Sequence, residues 1–242
     1  MTTPLHLVTA ILCQRPGTGS AFTPIEKYVE RVEAIVDLGI PMTVFVSPEV
    51  SAVMGRTAYL QRSSIRLTDL WLCRVIDAIG PDRVRLPAVR NHDKDTLDYL
   101  IIQNSKTELC AQVARETGAR KIAWIDAGVT KILPPEKLER LRRCADLPEG
   151  ITIPGRRDFE PAPRPQTDEV SWRFLGGFFC GDPTSIQAFD RAACDAIVRL
   201  LPSLTWDCNL WAFLEAEGFP FHRYTAGHDN SFLDFPVPGE DD

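Results

Sequence analysis

The sequence predicts an α/β fold, a largely parallel sheet covered by helices, and three observations carry that expectation. Two short, continuous apolar runs near the start, Leu5–Cys13 and Met42–Ser47, have the pattern of strands buried on both faces. A helix start lies between them, which makes strand, helix and strand a right-handed crossover unit. A third apolar run, Lys121–Asp126, ends in an acid followed at once by Ala127 and Gly128.

The elements follow in order. Thr23-Pro24-Ile25-Glu26 opens the first helix: Thr23 can cap it, Pro24 suits its first turn, and Glu26 stands at capping-box spacing from Thr23. Gly39 closes it. A second helix is expected over Thr68–Ile79, closed by Gly80-Pro81, and a third over about Asp95–Thr117, closed by Gly118. Pro134-Pro135 starts a polar helix that runs to about Ala145. Residues 148–167 turn to Pro, Gly, Arg and acids, a connection whose prolines oppose regular structure. An apolar run over Trp172–Cys180 comes next. A helix over Pro183–Leu201, a helix after Asp207 and a strand at Phe221–Thr225 complete the order, and the acidic tail, 236–242, is expected to fray. The expected organisation is one domain over 1–235, with a nucleotide-binding half (1–147), the proline-rich connection (148–167) and an acceptor-side half (168–235).

Bulk properties narrow the class. A chain of 242 residues with 44% apolar and 25% charged residues can bury a full core, since folding at this size removes roughly 70–75% of the extended surface from water. The net charge of −6 argues against a protein that tracks nucleic-acid phosphates. Seven cysteines without a CxxC pair sit mostly in apolar runs, which speaks against a disulfide framework or structural zinc and for a reducing, cytoplasmic setting. The opening apolar stretch lacks a basic leader and is too short to span a bilayer, as is every other segment.

Asp126 holds the position of greatest chemical interest. Open parallel sheets gather ligands beyond the carboxyl ends of their strands, and small residues after Asp126 let a ligand approach. A carboxylate there can hold a hard divalent cation that bridges two phosphates, or it can cap the loop that follows.

Ala123-Trp-Ile-Asp-Ala-Gly-Val129 resembles the WIDAG motif of the HtrL-like glycosyltransferase family of bacteria and large viruses. Upstream, Tyr99-Leu-Ile-Ile-Gln-Asn-Ser-Lys106 resembles that family's NSK-bearing helix, and downstream Leu175-Gly-Gly-Phe-Phe-Cys-Gly-Asp182 resembles its glycine-rich segment. The three recur in the same order and at similar spacing. Before Tyr99 the likeness reduces to the opening strand, with Thr9, and Arg15. The resemblance implies a GT-A-like fold with a mixed, mainly parallel sheet, a nucleoside-diphosphate-sugar donor, and a glycan or glycolipid hydroxyl as acceptor. GT-A enzymes carry two acids at the end of the central strand, and Asp126-Ala-Gly128 has one. Either metal binding is weaker, another residue completes it, or cationic side chains meet the phosphate charge.

The resemblance makes His228, after a predicted strand and a glycine turn, a candidate partner of Asp126 for Mn²⁺ or Mg²⁺; otherwise it is a surface-loop histidine. Asn104 sits on an apolar helix face and needs a partner, in the backbone or in the donor. Lys106 can bring charge to a diphosphate or snorkel to solvent. Gly176 and Gly177 admit a ligand close to their backbone, and Thr9 and Arg15 complete the implied donor set. Asp182, before Pro183, is read as a helix cap. Asp207 either caps the helix after it or takes the acceptor's proton as general base, with Trp206 and Trp211 able to stack on a sugar or to pack in the core. Two other classes share these features. One is a sugar-phosphate nucleotidyltransferase, for which Gln14-Arg-Pro-Gly-Thr-Gly19 is a poor match to the required loop; the other is a non-catalytic nucleotide-sugar-binding module.

Overall fold

The computed structural model describes residues 3–15, 24–55, 58–156 and 164–239. Thr23, the expected cap of the first helix, and most of the loop Gln14–Gly19 lie outside the described residues.

Within them the strands are β1 (Leu5–Ile11), β2 (Met42–Val46), β3 (Leu60–Ser64), β4 (Lys121–Ile125), β5 (Ile151–Gly155), β6 (Phe178–Gly181) and β7 (Phe221–Thr225). The helices are α1 (Ile25–Val36), α2 (Pro48–Ser51), α3 (Trp71–Ile79), α4 (Leu97–Asn104), α5 (Lys106–Glu116), α6 (Pro135–Leu138), α7 (Pro183–Leu200) and α8 (Asp207–Ala216). The strands form one sheet in the order β3-β2-β1-β4-β6-β5-β7. β3, β2, β1 and β4 run parallel, β6 runs against both β4 and β5, and β7 is parallel to β5. The sheet is thus mixed and mainly parallel, as expected from the sequence.

The central strands read as continuous apolar runs because helices cover both faces of the sheet. Val8, Phe45, Ile122 and Trp124 pack with α3, α4, α5, α7 and α8 on one face. Leu5, Leu7, Ile11, Val44 and Ile125 pack with α1, the 3-10 turns of 139–146 and the aromatic segment Phe232–Phe235 on the other. α1 begins one residue later than expected, with Pro24 at the cap position instead of the first turn.

Three elements depart from the sequence reading. The single helix expected over Asp95–Thr117 is two, broken at Ser105. The Asn104 amide and the Ser105 hydroxyl both donate to carbonyls four residues back, Leu100 and Ile101, and so compete with continuation of the helix. Secondly, 148–167 is not free of regular structure, because Ile151–Gly155 forms β5 in the sheet. Pro154 is tolerated there because β6 pairs β5 only at Ile151 and Thr152, so the missing N–H falls past the end of the β6 ladder while β7 pairs along the whole strand; on that open side the Pro154 carbonyl accepts from Leu175 N–H at 3.0 Å. Thirdly, the polar helix expected to Ala145 keeps one α-turn and continues as 3-10 structure. β3, a half-exposed edge strand of sequence LQRSS, has no apolar signal and is absent from the sequence reading.

Among the described residues no helix is long and apolar enough to cross a membrane.

Candidate active site

β4 delivers Asp126 to the carboxyl end of the sheet. There its backbone N–H donates to Gly177 O at 2.9 Å, and its Oδ1 accepts from Trp124 Nε1 at 2.7 Å. The break at Ser105 turns Lys106 inward, where it is only 1% exposed. Its ammonium donates to Asp207 Oδ2 at 2.7 Å, to Gly176 O at 2.7 Å and to Asp126 Oδ2 at 3.3 Å. One buried cation therefore joins two carboxylates and the Gly176 carbonyl; Lys106, Asp126 and Gly176 come from the three segments that carry the sequence resemblance, and Asp207 comes from beyond them.

The charges are unequal in their surroundings. The Asp207 side chain is 5% exposed and that of Asp126 35%, so Asp126 presents the open carboxylate. Burial opposes the charge on Lys106, but Asp126 and Asp207 outweigh it and hold the ammonium above its ordinary range. Burial also pushes the Asp207 carboxyl up, against the pull of Lys106. Asp207 is not the cap of α8 but its first residue, and its Oδ1 accepts the Cys208 N–H at 2.8 Å, one of the free donors of the first turn. Asp182 does cap α7, accepting from Thr184 and Ser185 N–H.

Beyond this wall lies a cleft of about 440 Å³, within the ordinary range for a small-ligand site. Asp126, Asp207, Gly176, Gly177 and His228 all line it. A Cβ at Gly176 would stand 2.7 Å from Asp207 Oδ2, and one at Gly177 2.9 Å from the Phe232 ring. The two glycines are thus required by the approach of the protein's own side chains. His228 packs edge-on to Trp172 at 5.1 Å, and burial followed by the nearby Arg156 lowers its pKa, keeping the imidazole neutral.

The other four donor candidates stand behind the cleft wall. Lys106 spends its donors on Asp207, Gly176 and Asp126, so it neither snorkels nor faces the cleft. Asn104 donates to Leu100 O and Thr205 O, fastening α4 to the segment before α8. Arg15 clasps the fully buried Asp98 through its side chain and its backbone N–H, and it also lies 3.6 Å from Asp77. Thr9 is fully buried in β1 on the face opposite the α4–α5 layer, among Leu7 and Ile11. Of the two tryptophans proposed to stack, Trp206 lines the cleft and Trp211 is core.

Sequence reasoning missed Lys94, Tyr99, Lys131 and Trp172, which also line the cleft. Lys94 and Lys131 are exposed, and burial followed by the neighbouring charges of Arg31 and Lys94 lowers the pKa of Lys131. The Lys94-Asp95 step before a predicted helix was the available signal for the first. For Trp172 there was none, because it read as the start of an apolar strand. Among the described residues no group of three His, Cys, Asp or Glu side chains forms a metal cluster.

No family model matches this chain, nor does any curated protein. Among solved structures it is similar to Rv0371c of Mycobacterium tuberculosis H37Rv, crystallised in complex with manganese (TM-score 0.45, 11% identity, covering 93% of this chain and 89% of that one). A second structure of Rv0371c matches at TM-score 0.45 and 9% identity over the same shares. It is also similar to a glycosyltransferase involved in glycosylation of the major capsid of PBCV-1 (TM-score 0.46, 9% identity, covering 92% and 80%). At such scores and identities these likenesses carry no weight for the chemistry, which rests on the side chains.

Proposed function

We propose that the protein is a glycosyltransferase that moves a sugar from a nucleoside-diphosphate donor to a hydroxyl of a glycan or glycolipid precursor, as the resemblance to the HtrL-like family implies. The observation that carries this reading is the convergence of Asp126, Lys106, Asp207 and Gly176 around one buried ammonium at the wall of a cleft.

Asp126, at the carboxyl end of β4 and a third exposed, faces the donor's diphosphate. Lys94 and Lys131 supply positive charge across the same cleft, which favours the leaving diphosphate electrostatically. Asp126 and His228 would hold Mn²⁺ or Mg²⁺ only with phosphate oxygens as further ligands. Their chemistry suits that: an open carboxylate oxygen and a neutral imidazole. When bound, the metal would neutralise charge on the diphosphate. Asp207 takes the proton of the acceptor hydroxyl in an inverting transfer. Burial raises its proton affinity, while Lys106 opposes that shift and orients the carboxylate.

A thermal-shift panel of nucleoside-diphosphate sugars, with and without Mn²⁺, tests the reading. A true donor at about 100 times its Kd adds roughly 2.7 kcal/mol of stability. The reading fails if no nucleotide sugar or nucleoside diphosphate raises Tm under either condition. His228→Ala should weaken binding more with Mn²⁺ than without it, and equal losses would remove His228 from the metal.

A further inference from the structure

We propose that Trp172 is a stacking platform for a pyranose ring of the acceptor, on the His228 side of the cleft. This rests on the glycosyltransferase reading and names the chemistry of its second substrate.

Trp172 is the one non-glycine residue with positive φ among the described residues, at +52°. A bulky side chain adopts that conformation only where surrounding contacts impose it. Those contacts come from α8 and flank Trp172 on both sides. Before it, Asn209 accepts from Ser171 N–H at 2.7 Å and donates to Glu169 O and Gln166 O. After it, the Arg173 guanidinium meets both carboxylate oxygens of Glu215 at 2.8 Å. Asn209 is fully buried and Arg173 nearly so, so the segment is fixed and not a loose loop.

Core packing does not explain what is gained. Trp124, Trp206 and Trp211 are 8% exposed or less, whereas Trp172 is 39% exposed and lines the cleft. Its only ring contact among the described residues is the perpendicular His228, an arrangement that leaves at least one indole face uncovered by that ring. An open aromatic face held rigidly at a polar cleft suits the C–H face of a sugar, with hydroxyls directed to the polar rim.

The cleft draws its walls from both halves of the sheet. Thr96 and Asp98 are bound by Gln14 and Arg15 at the end of β1, so the segment bearing Lys94 and Tyr99 lies on that half of the sheet. Trp172 lies on the other half: Phe174 bridges Gly155 at the end of β5, and His228 follows β7. Asp207, the proposed base, lines the same cleft as Trp172, so a ring stacked on the indole shares one space with the base.

The test measures binding of methyl hexopyranosides by saturation-transfer NMR, with the protein saturated by nucleoside diphosphate. Wild type and Trp172→Phe should bind a glycoside within a few-fold of each other. Trp172→Asn, whose side chain tolerates the left-handed backbone, should weaken it roughly tenfold or more while leaving nucleoside-diphosphate affinity, measured without divalent metal, unchanged. Glycoside binding unchanged in Trp172→Asn, or undetectable in wild type that still binds nucleotide, overturns the proposal. So does a loss in Trp172→Asn confined to the affinity difference between nucleotide sugar and nucleoside diphosphate, which would assign the ring to the donor. Absence of nucleotide binding in wild type overturns instead the transferase reading beneath it.

Discussion

Replacing Lys106 by Met removes the one ammonium that joins Asp126, Asp207 and the Gly176 carbonyl, while keeping much of the side-chain volume. The Lys106–Asp207 contact is 2.7 Å long between side chains 1% and 5% exposed, so solvent cannot compensate the carboxylate left behind. Breaking such a pair from one side costs about 3–5 kcal/mol. The 3.3 Å contact to Asp126 adds little, because that carboxylate is a third exposed and screened. At ~2–4 °C per kcal/mol for a chain of this size, Tm should fall by roughly 6–20 °C. The loss should also depend on pH. Asp207 is already raised by burial, and without the ammonium it rises further. A carboxyl raised above its unfolded value costs stability while ionised, and that cost disappears as pH falls through the folded value. Denaturant melts at pH 7 and pH 5 should therefore show a larger deficit at pH 7. Adding Asp207→Asn to Lys106→Met should recover part of it, since no buried charge then lacks a partner. A Lys106→Met protein that melts within about 2 °C of wild type at pH 7, far below the expected loss, refutes the buried triad.

Three further outcomes follow from the same geometry. Gly176→Ala places a methyl 2.7 Å from Asp207 Oδ2, and should cost about 1–3 kcal/mol in a denaturant melt as the carboxylate is displaced; unchanged stability would mean that this wall yields freely. Asp207→Asn keeps an acceptor for the Cys208 N–H but deprives Lys106 of its nearer carboxylate, so it should melt below wild type, still bind nucleoside diphosphate, and lose ~10²–10⁴ in turnover. Retention of about a tenth of wild-type turnover removes the base assignment. Arg15→Ala takes the guanidinium from buried Asp98 but leaves it the residue-15 backbone N–H, so it should destabilise by about 1–3 kcal/mol; in calorimetry on the folded variant, nucleotide affinity should hold, and a selective loss of affinity would return Arg15 to the donor site.

The parts of the fold legible in the sequence are those with a one-dimensional pattern. Leu5–Ile11, Met42–Val46 and Lys121–Ile125 are apolar on both faces, and Phe221–Thr225 follows a glycine turn and a proline. β3 and β5 escaped because an edge strand carries no apolar run and because a strand can keep a proline on the side where its neighbour has ended, here β6. The position of Asp126 at a strand end was likewise readable. The local motif could not reveal that Lys106 points at Asp126 and Asp207, since this depends on the helix break at Ser105 and on a contact across 101 residues. For the same reason Asn104 and Arg15, both suited by type to bind a ligand, bind protein groups instead. Trp172 was hidden because its exposure comes from a backbone conformation imposed by α8.

Release of nucleoside diphosphate from a panel of nucleotide sugars, compared between wild type and Asp126→Asn, bears most directly on the central claim that the Asp126 cleft performs sugar transfer. Wild type should release nucleoside diphosphate from at least one donor, slowly with water and faster with added glycan acceptors. Asp126→Asn should remain folded and release it at least ~10²-fold more slowly, the scale of losing a group that stabilises charge in the transition state. Release by Asp126→Asn at the wild-type rate, or none by wild type with any donor, contradicts the claim.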